Sequence, residues 1–177
     1  MGHGDSGVGC DIGPNVTATL DAQAPRFHWI LARSQVALAA FARFEEILKR
    51  NGRLLRDEQA IVALEVAMTC KCNYCRGVMS REARDCGVSD DCLRAILHGF
   101  EPARPRYRYL LHATRRLISE TGGIGRAEVS LFEERGVSFE ELLEIIAIIA
   151  AFKLASYANN LAQNQIDSHG RQPSGNT

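Results

Sequence analysis

Apolar residues recur along most of this chain at intervals of three and four. In the segment that starts near Asp57, for example, Ile61, Leu64, Ala67 and Met68 share this spacing. Such spacing places them on one face of a helix. No segment shows the clean two-residue alternation of a strand. The pattern therefore predicts an all-α, multi-helix bundle.

Glycine, proline and capping residues divide this pattern into separate helices. In chain order the predicted helices cover about residues 27–50, from 57 onward, 72–87, 89–99, 107–120, a segment ending at 136, and 138 to about 161. The last of these opens with a capping box formed by Ser138 and Glu141. Its apolar stretch is interrupted by charges and is too short to span a bilayer, so no membrane partner is expected.

Two segments of the chain resemble each other. Gly87-Val88-Ser89 recurs as Gly136-Val137-Ser138, and each is followed by apolar residues at helical spacing. In both, glycine ends one helix and serine caps the next. The repetition predicts two pseudo-repeated helix-turn-helix units within the bundle.

Composition changes at both ends of the chain. Residues 1–24 are rich in Gly, Asp and Thr, and residues 167–177 are polar. We expect a flexible leader, a single helical domain over residues 25–166, and a flexible tail. The first residues lack the basic and apolar regions of a signal peptide, so the expected location is the cytoplasm.

The charge balance excludes one class of partner. Lys plus Arg and Asp plus Glu each number 21, so no overall field attracts nucleic acid. Local basic clusters are present at Arg104, Arg106, Arg108, Arg115 and Arg116. With no aromatic series or nucleic-acid motif beside them, they are interpreted as solvated or interface surfaces.

The strongest chemical signal is the spacing of Cys72 and Cys75 at the start of a predicted helix. Three residues apart on a helix, their sulfurs share one face and lie close enough for a disulfide. The helix N-terminus, with Lys71 and Arg76 nearby, favours a thiolate. Redox chemistry is the preferred hypothesis. The alternatives are inert packing and a metal site that includes Cys70, although no second cysteine pair completes the four ligands of structural zinc.

The order of these features resembles the carboxymuconolactone decarboxylase-like family, in particular its alkylhydroperoxidase D branch. The matching pieces are Leu55–Glu58, Cys72–Cys75, Cys86–Ser89, Arg135–Ser138, Glu144–Ile146, Phe152 and Tyr157–Ala162, and the resemblance extends over about residues 27–167. It implies an all-helical protein that forms trimers or hexamers and needs no organic cofactor. It also implies that Cys75 attacks a hydroperoxide, that Cys72 resolves the sulfenic acid to a disulfide, and that a dithiol partner reduces it.

Two positions depart from the pattern of that branch. Its relay histidine and glutamate are replaced here by Met79 and Ala60, so the usual path for activating the thiol is interrupted. Glu65 is the substitute candidate for the relay, with a solvated or interface charge as the alternative. Tyr74 is a candidate hydrogen-bond donor to a sulfenate, with core packing as the alternative.

The sequence therefore predicts a thiol-dependent alkyl hydroperoxide reductase or disulfide reductase. Its candidate site residues are Cys75, Cys72, Glu65 and Tyr74. Two other functions stay open. The chain could be a decayed family member that serves as an oligomeric interaction module, or a decarboxylase, which would need an acid–base site rather than a cysteine pair.

Overall fold

The computed structural model describes residues 24–169, which form eight α-helices. The helices are α1 Arg26–Leu31, α2 Gln35–Asn51, α3 Arg56–Thr69, α4 Asn73–Asp85, α5 Asp90–Leu97, α6 Pro105–Ser119, α7 Arg126–Glu134 and α8 Phe139–His169. No strand occurs in this range, and the all-α prediction is confirmed. Nearly all of the predicted leader and most of the predicted tail lie outside the described residues.

Helix α3 lies at the centre of the bundle. Every residue from Ala60 to Ala67 is buried, and the helix packs against α4, α6 and α8. A helix without a solvent-facing side needs neighbours all around it, which the long apolar helix α8 and the two flanking helices provide. The cysteine segment follows α3 directly and so begins at the most buried element of the fold.

The predicted first helix is two helices. The chain turns after α1, and Ser34 caps α2 by accepting the N–H of Ala37 on its Oγ at 3.3 Å. The apolar spacing continues across this turn, which is why periodicity alone missed the break; the serine cap was the available signal. The short helix α1 packs against α8.

The last helix is longer than predicted. It continues to His169 rather than ending near Leu161. Its sequence contains no glycine or proline until Gly170, and nothing in it stops a helix earlier.

The two predicted helix-turn-helix units have matching turns. Gly87 and Gly136 adopt φ values of 92° and 82°, in the left-handed region where glycine has no steric penalty. The next residues, Val88 and Val137, are buried, and each donates its N–H to the carbonyl five residues earlier. Both units therefore end their first helix in the same way.

The capping box predicted for the last helix is present. Glu141 accepts the N–H of Ser138 at 2.8 Å, and Ser138 Oγ accepts the N–H of Glu141 at 3.3 Å. Arg106 joins Glu141 to Glu58, a buried carboxylate in the first turn of α3, with 2.9 Å between Nε of Arg106 and Oε1 of Glu58. The start of α8 is thereby tied to α6 and α3.

Several arginines of the basic clusters in and beside α6 form ion pairs with carboxylates of α3. Arg104 donates to Asp57 at 2.9 Å, and Arg115 donates twice to Glu65, at 2.8 and 2.9 Å. Arg106 is 22% exposed and serves mainly inside the molecule, whereas the Arg104 and Arg115 side chains are 49% and 40% exposed and stay partly solvated as predicted. Buried carboxylates on the central helix need partners, and α6 provides them.

No helix within residues 24–169 is long and apolar enough to cross a membrane.

Candidate redox site

Cys72 and Cys75 form a disulfide at the junction of α3 and α4. Cys72 is the N-cap of α4 and Cys75 lies in its first turn, with 5.3 Å between their Cα atoms. This separation lies within the range that a disulfide bridges. Both side chains are almost fully buried, with exposed fractions of 1% and 3%.

A tight turn aims Cys72 at the interior. Cys70 ends α3, Lys71 adopts a left-handed conformation with φ of 53°, and the N–H of Cys72 donates to Ala67 O at 3.1 Å. A non-glycine residue in this region costs on the order of 1–3 kcal/mol. The N–H of Lys71 donates to Met68 O at 3.0 Å and helps to close the turn, which places the sulfur of Cys72 within hydrogen-bonding distance of Asn159 on α8.

Two N–H groups point at the sulfur of Cys72. The backbone N–H of Cys75 donates to Cys72 Sγ at 3.2 Å, and the side-chain amide of Asn159 donates to it at 3.4 Å. Within the described part of the chain, both hydrogen bonds that reach the disulfide end on Cys72. In the reduced protein these donors and the positive end of the α4 dipole favour the thiolate over the thiol.

Arg26 determines how Asn159 is oriented. Its guanidinium donates to Asn159 Oδ1 at 3.2 Å and to Gln163 Oε1 at 3.0 Å. Because a guanidinium has only donors, the oxygen of the amide must face Arg26 and its NH₂ group must face Cys72. Asn159 is itself buried, so this orientation is enclosed by the bundle.

Tyr74 does not point at the sulfurs. Its hydroxyl accepts the backbone N–H of Arg26, and the guanidinium of Arg26 lies over its ring, 5.1 Å from the centroid. This half-buried tyrosine therefore holds the first residue of α1 beside the redox pair. Its role as a donor to a sulfenate stays a prediction.

Glu65 is buried, and its carboxylate is paired with Arg115 rather than with a cysteine of the disulfide. The side chain is 7% exposed, and both carboxylate oxygens accept from Arg115. The alternative of a solvated charge is wrong for Glu65, because its carboxylate is buried against the partly exposed Arg115. The alternative of an interface charge stays a prediction. The role of Glu65 as a proton relay stays a prediction. The hydrogen bonds that its carboxylate accepts come from Arg115 and not from either cysteine.

The two positions at which the resemblance places relay residues are apolar and buried. Met79 lies one turn after Cys75, with 1% of its side chain exposed, and Ala60 is 4% exposed. Nε2 of His28 donates to Oε2 of Glu45 at 3.2 Å. Burial alone would raise the pKa of Glu45, but His28 and Lys49 outweigh it and hold that pKa below its usual value.

The remaining described cysteines are free thiols: Cys70, Cys86 and Cys92. Burial raises the pKa of each above the usual value, so all three are protonated near neutral pH. Lys153 and Ser156 act in the opposite direction on Cys70 without cancelling the effect. These thiols lack the thiolate character that nucleophilic attack requires. No cluster of three or more potential metal ligands occurs among residues 24–169.

The tertiary structure adds two residues that were not among the predicted site residues, Asn159 and Arg26. Asn159 had a visible signal, since it interrupts an apolar helix with a polar side chain that ends up buried. Arg26 had none, because it precedes the first predicted helix and reaches the site only through the packing of α1 on α8.

Comparison with known proteins agrees with the helical architecture. No curated protein matches the chain. Residues 35–116, from the start of α2 to near the end of α6, match the model of the Carboxymuconolactone decarboxylase family. This segment contains the central helix α3 and the Cys72–Cys75 pair. Over residues 35–116, the chain is therefore similar to the carboxymuconolactone decarboxylase family, although the match does not confirm the alkylhydroperoxidase D branch.

Proposed function

We propose that this protein is a dithiol–disulfide oxidoreductase that reduces hydroperoxides through Cys72 and Cys75. The observation that carries the proposal is the disulfide between these residues at the N-terminus of α4, with N–H donors directed at one of its sulfurs. The family includes decarboxylases and peroxidases, and a cysteine pair that interconverts dithiol and disulfide suits the second activity.

The proposed cycle consumes two thiols for each hydroperoxide. One thiolate attacks the terminal oxygen of ROOH, the O–O bond breaks, and the departing alkoxide takes a proton to give ROH. The resulting sulfenic acid is attacked by the second thiol, which releases water and forms the Cys72–Cys75 disulfide. A dithiol, either a protein or a small molecule, then reduces the disulfide and is itself oxidised. No organic cofactor takes part.

The need for a dithiol reductant bears on where in the cell the protein works. Dithiol reductants operate where free thiols persist, and Cys70, Cys86 and Cys92 are unpaired. We therefore propose the cytoplasm as the location.

The exposed face of α8 supports the proposal of a homo-oligomer. Leu143, Ile146, Tyr157 and Leu161 are each at least 40% exposed and follow one another along this helix. Apolar side chains in a row on a surface favour association. A trimer or hexamer is expected from the resemblance, and sedimentation of the protein in solution tests it.

Mass spectrometry after one equivalent of tert-butyl hydroperoxide tests the proposed activity. We expect reduced protein to lose two hydrogens, located at Cys72 and Cys75, much faster than free cysteine is oxidised. Cys92→Ser is the matched control and should behave like the unmodified protein, because Cys92 lies outside the pair.

A second function is favoured by one observation, the apolar residues Met79 and Ala60 at the relay positions. If the pair reacts no faster than free cysteine while the oligomer is intact, the protein is an interaction module. Lactone decarboxylation that survives replacement of both cysteines would instead support the founding activity of the family.

A further inference from the structure

The two sulfurs of the disulfide have different surroundings. Cys72 Sγ accepts the N–H of Cys75 at 3.2 Å and the amide of Asn159 at 3.4 Å. Cys75 lies one turn before the buried side chain of Met79, on the same face of α4. A charge is stabilised by donors and destabilised by apolar surroundings, so reduction of the disulfide should leave the thiolate on Cys72.

The donor from Asn159 is held in place by a positive charge. Arg26 binds Asn159 Oδ1 at 3.2 Å and is itself held by Gln163 Oε1 and by the ring of Tyr74. The guanidinium fixes which end of the amide faces the sulfur and polarises its N–H bonds toward Cys72. In the oxidised protein these donors already lie beside the sulfur that would receive the charge.

We propose that Cys72 is the attacking cysteine of this protein and Cys75 the resolving one, the reverse of the order expected from the resemblance. Asn159 stabilises the reacting sulfur directly, and Arg26 is a positioning residue that acts through Asn159. The identity of the substrate, a hydroperoxide, rests on the proposed function. The difference in reactivity between the two thiols does not, because it can be measured on the reduced protein without any substrate.

The reaction then runs as follows. Cys72 thiolate attacks ROOH, its sulfur is oxidised to Cys72–SOH, and the alkoxide leaves and is protonated to ROH. The thiol of Cys75 attacks the sulfur of Cys72–SOH, the S–O bond breaks, and water leaves with the thiol proton. When a dithiol later reduces the pair, it attacks Cys75 Sγ, because Cys72 is the better leaving group as a stabilised thiolate.

Alkylation of single-cysteine variants tests the assignment without a peroxide. In reduced Cys75→Ser, iodoacetamide should modify Cys72 at least tenfold faster than it modifies Cys75 in reduced Cys72→Ser. Both variants should fold, since serine is a favourable N-cap at position 72 and a small replacement at 75. Denatured samples, in which the two thiols should react alike, correct for differences unrelated to the fold. Equal rates in the folded proteins, or faster alkylation of Cys75, would overturn the assignment.

The same two variants separate this inference from the proposed function. After addition of tert-butyl hydroperoxide, trapping of sulfenic acid with dimedone should label Cys72 in Cys75→Ser much faster than Cys75 in Cys72→Ser. Label on Cys75 alone would overturn the reversed order. If neither variant is labelled but Cys72 is alkylated faster, the peroxidase activity fails while the assignment of the thiolate stands.

The contribution of Asn159 is measured by the reduction potential of the pair. Asn159→Ala should lower the equilibrium constant for reduction by glutathione about tenfold, a shift of roughly −30 mV, because the reduced state loses a donor to its thiolate. Arg26→Gln should shift it in the same direction by less. The matched controls are Asn160→Ala, which removes a hydrogen bond to Cys70 O, and Arg33→Gln on the exposed turn after α1. A potential unchanged in Asn159→Ala would overturn the role of Asn159.

Discussion

The side-chain amide of Asn159 donates a hydrogen bond to Cys72 Sγ, although 87 residues separate the two along the chain. Packing of α8 against α3 and α4 brings them together. The surroundings of the first turn of α4 therefore include a residue from the second half of the longest helix. Arg26 extends these surroundings to α1, at the other end of the described chain.

The ion pair between the buried Glu65 and the partly exposed Arg115 should be important for stability. Arg115→Met leaves Glu65 buried without a partner and should lower the free energy of unfolding by about 2 kcal/mol, a value reduced from the usual range because Arg115 is 40% exposed. Urea denaturation measures the change. Arg94→Met, which removes an exposed pair with Asp91, is the control and should have little effect. An equal loss of unfolding free energy in Arg115→Met and Arg94→Met would show that the pair with Glu65 is no more important than the exposed pair.

Acid should weaken the contact between Asp57 and its partners on α6. Burial raises the pKa of Asp57, but hydrogen bonds from Tyr107 and Arg104 outweigh it and hold the pKa below the ordinary 3.8. The unfolded chain therefore binds a proton at higher pH than the folded protein. The stabilisation from Asp57 is complete above the ordinary value and is lost as the pH falls through the lower, folded one.

Urea midpoints measured from neutral pH down through this range test the contribution of Asp57. Asp57→Asn should lower the midpoint at neutral pH and flatten its decline in acid. Asp85→Asn, at an exposed position on α4, is the control and should leave the decline unchanged. A decline as steep in Asp57→Asn as in the unmodified protein would show that other carboxylates account for it.

Two glycines in one helix-turn-helix unit should respond oppositely to alanine. Gly77 lies inside α4 with open space around the position of a Cβ, so Gly77→Ala should stabilise the protein by about 0.5–1 kcal/mol. Gly87 also has open space, but its φ of 92° is strained for alanine, and Gly87→Ala should destabilise by about 1 kcal/mol. Thermal or urea unfolding measures both. A stabilising Gly87→Ala would contradict the left-handed turn.

Met79→His should activate the less reactive thiol. A histidine one turn after Cys75 can accept its proton, so in a Cys72→Ser background the alkylation of Cys75 should accelerate about tenfold. The substitution buries a polar imidazole in place of a thioether, so it should also lower the stability of the protein, measured as a lower midpoint of urea denaturation. Val78→His, at a half-buried neighbouring position, is the control. No acceleration in Met79→His would mean that this position does not face the Cys75 sulfur.

Much of the fold followed from local patterns. The helical period, the glycines at 87 and 136 and the capping box at Ser138 act over one or two turns of chain, so their physical basis is contained in neighbouring residues. The break at Ser34 and the extension of α8 were missed because periodicity does not report a single cap or the absence of a stop signal.

The sequence by itself determined the helical class and the cysteine pair, because helix period and the spacing of Cys72 and Cys75 are properties of adjacent turns. Only the tertiary structure decided which groups surround that pair. It paired Glu65 with Arg115, placed Tyr74 against Arg26, and brought Asn159 to Cys72. Hydrogen bonds act over about 3 Å, and the packing of α1, α6 and α8 on the central helices determines which distant residues come within that distance.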